Sequence, residues 1–297
     1  MHQAQGTSLP VVLLHGLSQQ RRFWDPVVAR LRAPAIATLD QRGHGQSLLE
    51  LDADYRIERC ADDVIEFLDE VGWERAVIVG HSWGAWIALR CARSPRIAAI
   101  GMIDGGLWGL TGLGAPEVVR ERLRPPELGL PAAQLWAMIQ SSAPYLDAEG
   151  RAALADTFVE DASGLMRTRI GVDRHMRVLD GLLQYQPEAD LRHLSCPAWA
   201  VVCEPKPTEG DAGEPEVDWE QVKSSAVTSA SEIPGLLIHR WMGAVHDVPL
   251  QWPALVAGFI DALRGSIDAN GRAQGDSSAQ GNGNARGNGS GSPRRRD

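Results

Sequence analysis

Residues Gly80-His81-Ser82-Trp83-Gly84 set a serine hydroxyl between two glycines in a G-x-S-x-G pattern. The apolar, β-branched run Ala76 to Val79 precedes it directly, and a helical stretch from Trp83 to Arg93 follows. Strand, tight turn and helix are the context in which this pattern exposes a nucleophile. The turn crowds the positions two before and two after the serine, so both must lack a side chain. The N-terminus of the following helix favours negative charge developing beside the hydroxyl. A serine alone is a weak nucleophile and needs a base. Of the eight histidines, His246 is best placed, between the last apolar strand and the last helix in Gly243-Ala244-Val245-His246. That brings it to the same sheet edge as Ser82. His81 reads as a packing neighbour of the turn, His44 as a loop-stabilising residue, and His2, His193 and His239 as surface or strand positions. His175 reads as part of an amphipathic helix. A third element is His15-Gly16-Leu17, after the first strand. There the backbone N–H of Leu17 and that of Trp83 would form an oxyanion hole, with single donors worth roughly 3 kcal/mol.

Short apolar runs supply the strands that must carry these groups, at Pro10 to Leu14, Ala35 to Leu39, Ala76 to Val79, Ile97 to Ile103 and Ala198 to Cys203, and a further strand is read at Leu236 to Trp241. Helical spacing intervenes at Arg56 to Val71, Trp83 to Arg93, Trp219 to Ala230 and Pro253 to Leu263. Strands that are apolar throughout and alternate with helices predict a parallel sheet covered on both faces. Between about Leu107 and Asp190 the strand signal vanishes, and proline-punctuated helical stretches predict an all-helical insertion over the carboxyl edge of the sheet. Trp108, Trp136 and Met138 lie in it, as helix packing or as walls of an apolar pocket. The division expected is residues 1–106 and 191–264 as one α/β core, 107–190 as a helical cap, and 265–297 as a disordered tail. That last stretch has 8 glycines in 33 residues and one large apolar side chain, Ile267, too little to offset its ordering entropy.

Composition removes several alternatives. Four cysteines, none spaced C-x-x-C, fit neither a disulfide scaffold nor a zinc ribbon. The beginning MHQAQGTSLP lacks the basic and apolar regions of a signal peptide, and no apolar run is long enough to span a membrane. A cytoplasmic protein is expected. With a net charge of −9 the body repels phosphate backbones, so nucleic acid is not an expected partner.

The segments HGLSQQRRFW (15–24), DQRGHGQS (40–47), GHSWG (80–84), DGG (104–106) and GAVHDVPLQWP (243–253) together resemble the α/β-hydrolase superfamily, in its capped esterase and haloperoxidase-like branch. The resemblance covers the whole folded part. It implies a mostly parallel eight-stranded sheet, a helical cap, no cofactor or metal, and a Ser-His-acid triad. Relatives that open epoxides or cleave carbon–halogen bonds carry Asp at the nucleophile position, so Ser82 argues against both activities. One departure concerns the acid. Its usual place, a G-x-x-D after the strand before the last helix–strand pair, reads Cys203-Glu204-Pro205-Lys206. Asp104, ending the fourth strand at the same sheet edge, is the first candidate, although an Asp there is also structural in relatives. Asp218, Asp211 and Glu204 are the others, and Asp218 could equally cap the next helix. Asp247 is expected to point elsewhere.

The expectation is a serine hydrolase acting on a small, fairly apolar acyl compound. Ser82 would be the nucleophile, His246 the base and Asp104 its orienting acid. The alternative is a small-molecule receptor on the same fold with little turnover.

Overall fold

The computed structural model describes residues 9–110, 113–206 and 218–281. The first α/β part runs through β1 (Val11–Leu14), α1 (Asp25–Val28), β2 (Ile36–Leu39), α2 (Ile57–Glu70), β3 (Ala76–His81), α3 (Trp83–Cys91) and β4 (Ile97–Ile103). A second segment holds α4 (Pro116–Arg122), α5 (Ala132–Ser142), α6 (Ala148–Ala155), β5 (Phe158–Glu160), β6 (Met166–Thr168), α7 (Val172–Leu183) and α8 (Pro187–Leu191). The α/β pattern resumes with β7 (Ala198–Glu204), α9 (Trp219–Ala230), β8 (Leu236–Met242), α10 (Val248–Gln251) and α11 (Pro253–Gly281).

The strands pair in the order β2-β1-β3-β4-β7-β8, every pair parallel. Among the described residues the central sheet therefore has six strands, where the resemblance implies eight. Six is also the number of strands the sequence predicts. β1, β3 and β4 are buried along their whole length because helices cover both faces. One core layer packs Ile57, Leu68 and Leu89 of α2 and α3 against Val12 and Ile78, and the other packs Phe23, Val256 and Ile260 against Val11, Leu13 and Val77. No helix among the described residues is long and apolar enough to cross a membrane.

Two expectations change. The segment after β4 is not all helical, since β5 and β6 form an antiparallel hairpin. Asp161 closes its turn, accepting hydrogen bonds from the amides of Ser163 at 2.8 Å and Leu165 at 3.2 Å. Three-residue strands are too short to show a period of two, so the run was invisible as strand. α11 continues to Gly281, through residues 265–281 of the expected tail. Once a helix is nucleated each added residue costs only propagation, which permits a polar, glycine-containing extension. Residues 282–297 of that expected tail lie outside the described residues.

The second segment is fastened to α3 by a buried carboxylate. Asp190, 3% exposed, accepts from Arg93 Nε at 2.6 Å, Tyr185 Oη at 2.5 Å and Arg90 at 3.2 Å. Asp190→Ala leaves two guanidinium groups and a buried phenol without that partner. It should lower the free energy of unfolding by about 3 kcal/mol in urea denaturation, whereas a purely peripheral contact would change it by less than about 1 kcal/mol.

Candidate active site

Ser82 sits between β3 and α3 with φ +50° and ψ −121°, a conformation L-residues avoid. The flanking glycines are sterically required. A Cβ on Gly80 would lie 1.9 Å from the carbonyl oxygen of Gly84, and one on Gly84 would lie 2.4 Å from that of Leu14. Ser82 N–H donates to the Ile103 carbonyl at 2.9 Å, tying the turn to the end of β4. Asp104 follows at φ +47°, with its own N–H on Val201 O at 2.8 Å. Ser18, beside Leu17, has φ +69°. Among the described residues these three are the non-glycine positions with positive φ, and all three cluster here.

The groups meet. Ser82 Oγ is 3.0 Å from His246 Nε2, and His246 Nδ1 is 2.7 Å from Asp104 Oδ2. A carboxylate only accepts, so Nδ1 carries the proton and Nε2 presents its lone pair to the serine O–H. The Asp104 side chain is fully buried, and its other oxygen accepts from Cys203 N at 3.0 Å and from Lys223 Nζ at 2.7 Å. Burial pushes the Asp104 pKa up, but the hydrogen bonds and charges of His246 and Lys223 outweigh it and hold it below the usual carboxylate value. For His246, loss of water around the ring disfavours charge, yet the Asp104 hydrogen bond and carboxylate prevail and raise its pKa.

The loop bearing His246 is clamped from several sides. His81 Nε2–H donates to the His246 carbonyl at 2.8 Å, with its ring stacked on Phe23. Gln251 bridges the loop, accepting from Val245 N at 2.8 Å and donating to Gly243 O at 3.1 Å. Gln19 joins the first loop to this one, accepting from Gly16 N and donating to Asp247 Oδ1, both at 2.9 Å. His15 Nε2 accepts from Gln41 N at 3.2 Å, and His44, stacked on Trp83, accepts from Ser18 N at 3.3 Å. The N–H groups of Leu17 and Trp83 have no acceptor among the described residues.

Two of the other acid candidates are bonded to other partners. Asp218 caps α9, accepting from Gln221 N at 2.9 Å. Glu204 ends β7 and pairs with Arg240. Asp211 lies outside the described residues. A cavity of about 680 Å³ opens over Ser82 and His246, walled by Trp86, Trp108, Leu110, Leu179, Leu182 and Trp219. Trp108 thus lines it, while Trp136 is largely exposed. His175 also lines it and accepts from Ser18 Oγ at 2.6 Å, so it is more than one face of an amphipathic helix. Sequence reasoning missed Lys223 and Gln19. Lys223 is one of only two lysines in the chain, a faint compositional cue. No group of three or more His, Cys, Asp or Glu among the described residues is placed to hold a metal ion.

This fold and site have a family. The chain belongs to the alpha/beta hydrolase family, whose profile matches residues 11–265. It is similar to lipase LipV of Mycobacterium tuberculosis, 32% identical over 158 residues (50% of this chain, 59% of that protein). It also resembles epoxide hydrolase B of the same organism, 38% identical over 81 residues (26% and 23%), and a putative carbamate hydrolase RutD of Variovorax paradoxus, 34% identical over 98 residues (32% and 37%). These matches span from about a quarter to three-fifths of the relatives' lengths. Among solved structures, E-2-(acetamidomethylene)succinate hydrolase superimposes with a TM-score of 0.67 at 20% identity, covering 87% of this chain and 92% of that one. An esterase from Thermogutta terrifontis gives 0.63 at 21% identity, covering 89% and 92%. The likeness to these structures is one of fold.

The buried histidines make stability depend on pH. Burial lowers the pKa of His15 and His81 to about 4, from 6.5. Between those values the unfolded chain binds protons that the folded chain refuses, so stability falls as pH drops, by about 1.4 kcal/mol per unit for each histidine. His246 contributes with the opposite sign, its stabilisation fading as pH rises through its raised pKa. Urea midpoints should therefore decline steadily from pH 6.5 to 4.5, and an unchanged midpoint would contradict this.

Proposed function

We propose that the protein is a serine hydrolase that cleaves a small, apolar ester-like substrate through an acyl-enzyme. The observation carrying this reading is the continuous relay from Ser82 Oγ through His246 to the buried Asp104 carboxylate. In the forward step Ser82 Oγ attacks the acyl carbonyl carbon while its proton passes to His246 Nε2. Asp104 keeps the ring in the productive tautomer and stabilises the imidazolium. The oxyanion of the tetrahedral intermediate accepts hydrogen bonds from the Leu17 and Trp83 amides, which have no other acceptor among the described residues. Collapse expels the alcohol, which takes the proton from His246. Water then attacks the acyl-enzyme by the same sequence, releasing the acid and restoring Ser82.

Residues 107–190 serve as a cap over this site, supplying Trp108, Leu110, Leu123, His175, Leu179 and Leu182 to the cavity wall. The wall is mainly aromatic and aliphatic, which favours an apolar acyl group, with Glu220, Ser224 and Arg240 as polar members of the lining. A serine nucleophile suits acyl transfer, and the lipase and carbamate hydrolase relatives fit that chemistry better than the epoxide hydrolase. Four free thiols, three of them buried, accord with a reducing cytoplasm.

A panel of p-nitrophenyl esters of increasing acyl length tests turnover and pocket size together. Hydrolysis should be lost to background in Ser82→Ala. Asp104→Asn should lower kcat by about 10⁴ with the fold intact, while Asp218→Asn should leave it unchanged. Loss of activity in Asp218→Asn with retention in Asp104→Asn would move the acid to the loop before α9.

A further inference from the structure

Lys223 has no place in the chemistry just described, yet its side chain, 15% exposed, ends on the acid that orients His246. Its Nζ lies 2.7 and 2.9 Å from the two oxygens of Asp104 and 2.9 Å from the Cys203 carbonyl. An ammonium has three N–H donors, so all three are engaged and none is left for a ligand in the cavity. With the Cys203 N–H and His246 Nδ1–H, the Asp104 carboxylate is held from α9, β7 and the loop after β8 at once. The ammonium also lies 5.7 Å from the centre of the Trp108 ring.

We propose that Lys223 is a positioning residue that fixes the Asp104 carboxylate and partly cancels its charge, keeping His246 available as a base at lower pH than Asp104 alone would allow. This rests on the relay proposed above. The titratable groups facing His246 come from four elements. Asp104, at the end of β4, and Asp247, next to it in its own loop, favour a protonated ring. Lys223 on α9 opposes it, and His81 on β3, whose ring is 4.9 Å away, is held neutral by burial and adds no charge. Asp104 is fully buried and Lys223 is 15% exposed, so water screens both charges weakly, although the His246 ring itself is 56% exposed. Removing it leaves Asp104 with a stronger hold on the His246 proton.

The test follows His246 itself. In the full-length protein, the titration of the His246 Cε1–H signal by NMR gives its midpoint without any substrate. Lys223→Met and Lys223→Gln should both raise that midpoint, and Lys223→Arg should leave it near the wild-type value. If Lys223→Met does not fold, the Gln and Arg variants, which retain donors, carry the comparison. A midpoint unmoved or lowered in the charge-free variants overturns the inference. In ester hydrolysis the acid limb of kcat/KM should move up with the midpoint, whereas a structural defect alone would lower the rate equally at every pH. Absence of ester hydrolysis in the wild type counts against the proposed function, and a stationary midpoint against Lys223.

Discussion

The whole arrangement depends on one buried carboxylate. Asp104 stands at the end of β4, and its carboxylate is the acceptor shared by β7, α9 and the loop after β8. A charge in that position would be costly if left unpaired. Two cationic or potentially cationic side chains and a backbone amide satisfy it, and in doing so they fix the imidazole of His246 against Ser82. The positive φ at Asp104 and at Ser82 is strain that only a well-determined surrounding can hold. That surrounding is the fully buried sheet centre of β1, β3 and β4.

Outside the relay, the site is stiffened by neutral histidines used as hydrogen-bond partners. His15, His44 and His81 are buried, and burial depresses the pKa of each. His15 and His44 accept backbone N–H groups, a role a protonated ring nitrogen cannot fill. His81 donates to the carbonyl of His246 and so ties the loop after β8 to β3. One residue type thus serves two opposed purposes: three rings held uncharged as scaffold, and His246, with its raised pKa, poised to accept a proton.

Local chemistry made much of this legible in the sequence. The turn at Ser82 could be read because backbone crowding demands Gly80 and Gly84, and the central strands β1, β3 and β4 because buried parallel strands are apolar. His246 could be placed by its position between the last strand and the last helix. The acid was harder. Asp104, Asp218, Asp211 and Glu204 are alike as residues, and only tertiary closure brings Asp104 to 2.7 Å from the imidazole while Asp218 turns to cap α9. Lys223 and Gln19 act across 119 and 228 residues of chain, with no local pattern to mark them. The β5–β6 hairpin was hidden by its length, and the extension of α11 by a composition that favours coil until a helix is already present.

A covalent adduct is the most direct test of the central claim, that Ser82 is a nucleophile activated by His246. Intact-mass and peptide mass spectrometry after exposure to a fluorophosphonate would locate it. The account predicts one adduct per chain, on Ser82, absent in Ser82→Ala and formed far more slowly in His246→Ala. An unmodified wild-type chain, or an adduct mapped to another residue, would contradict it.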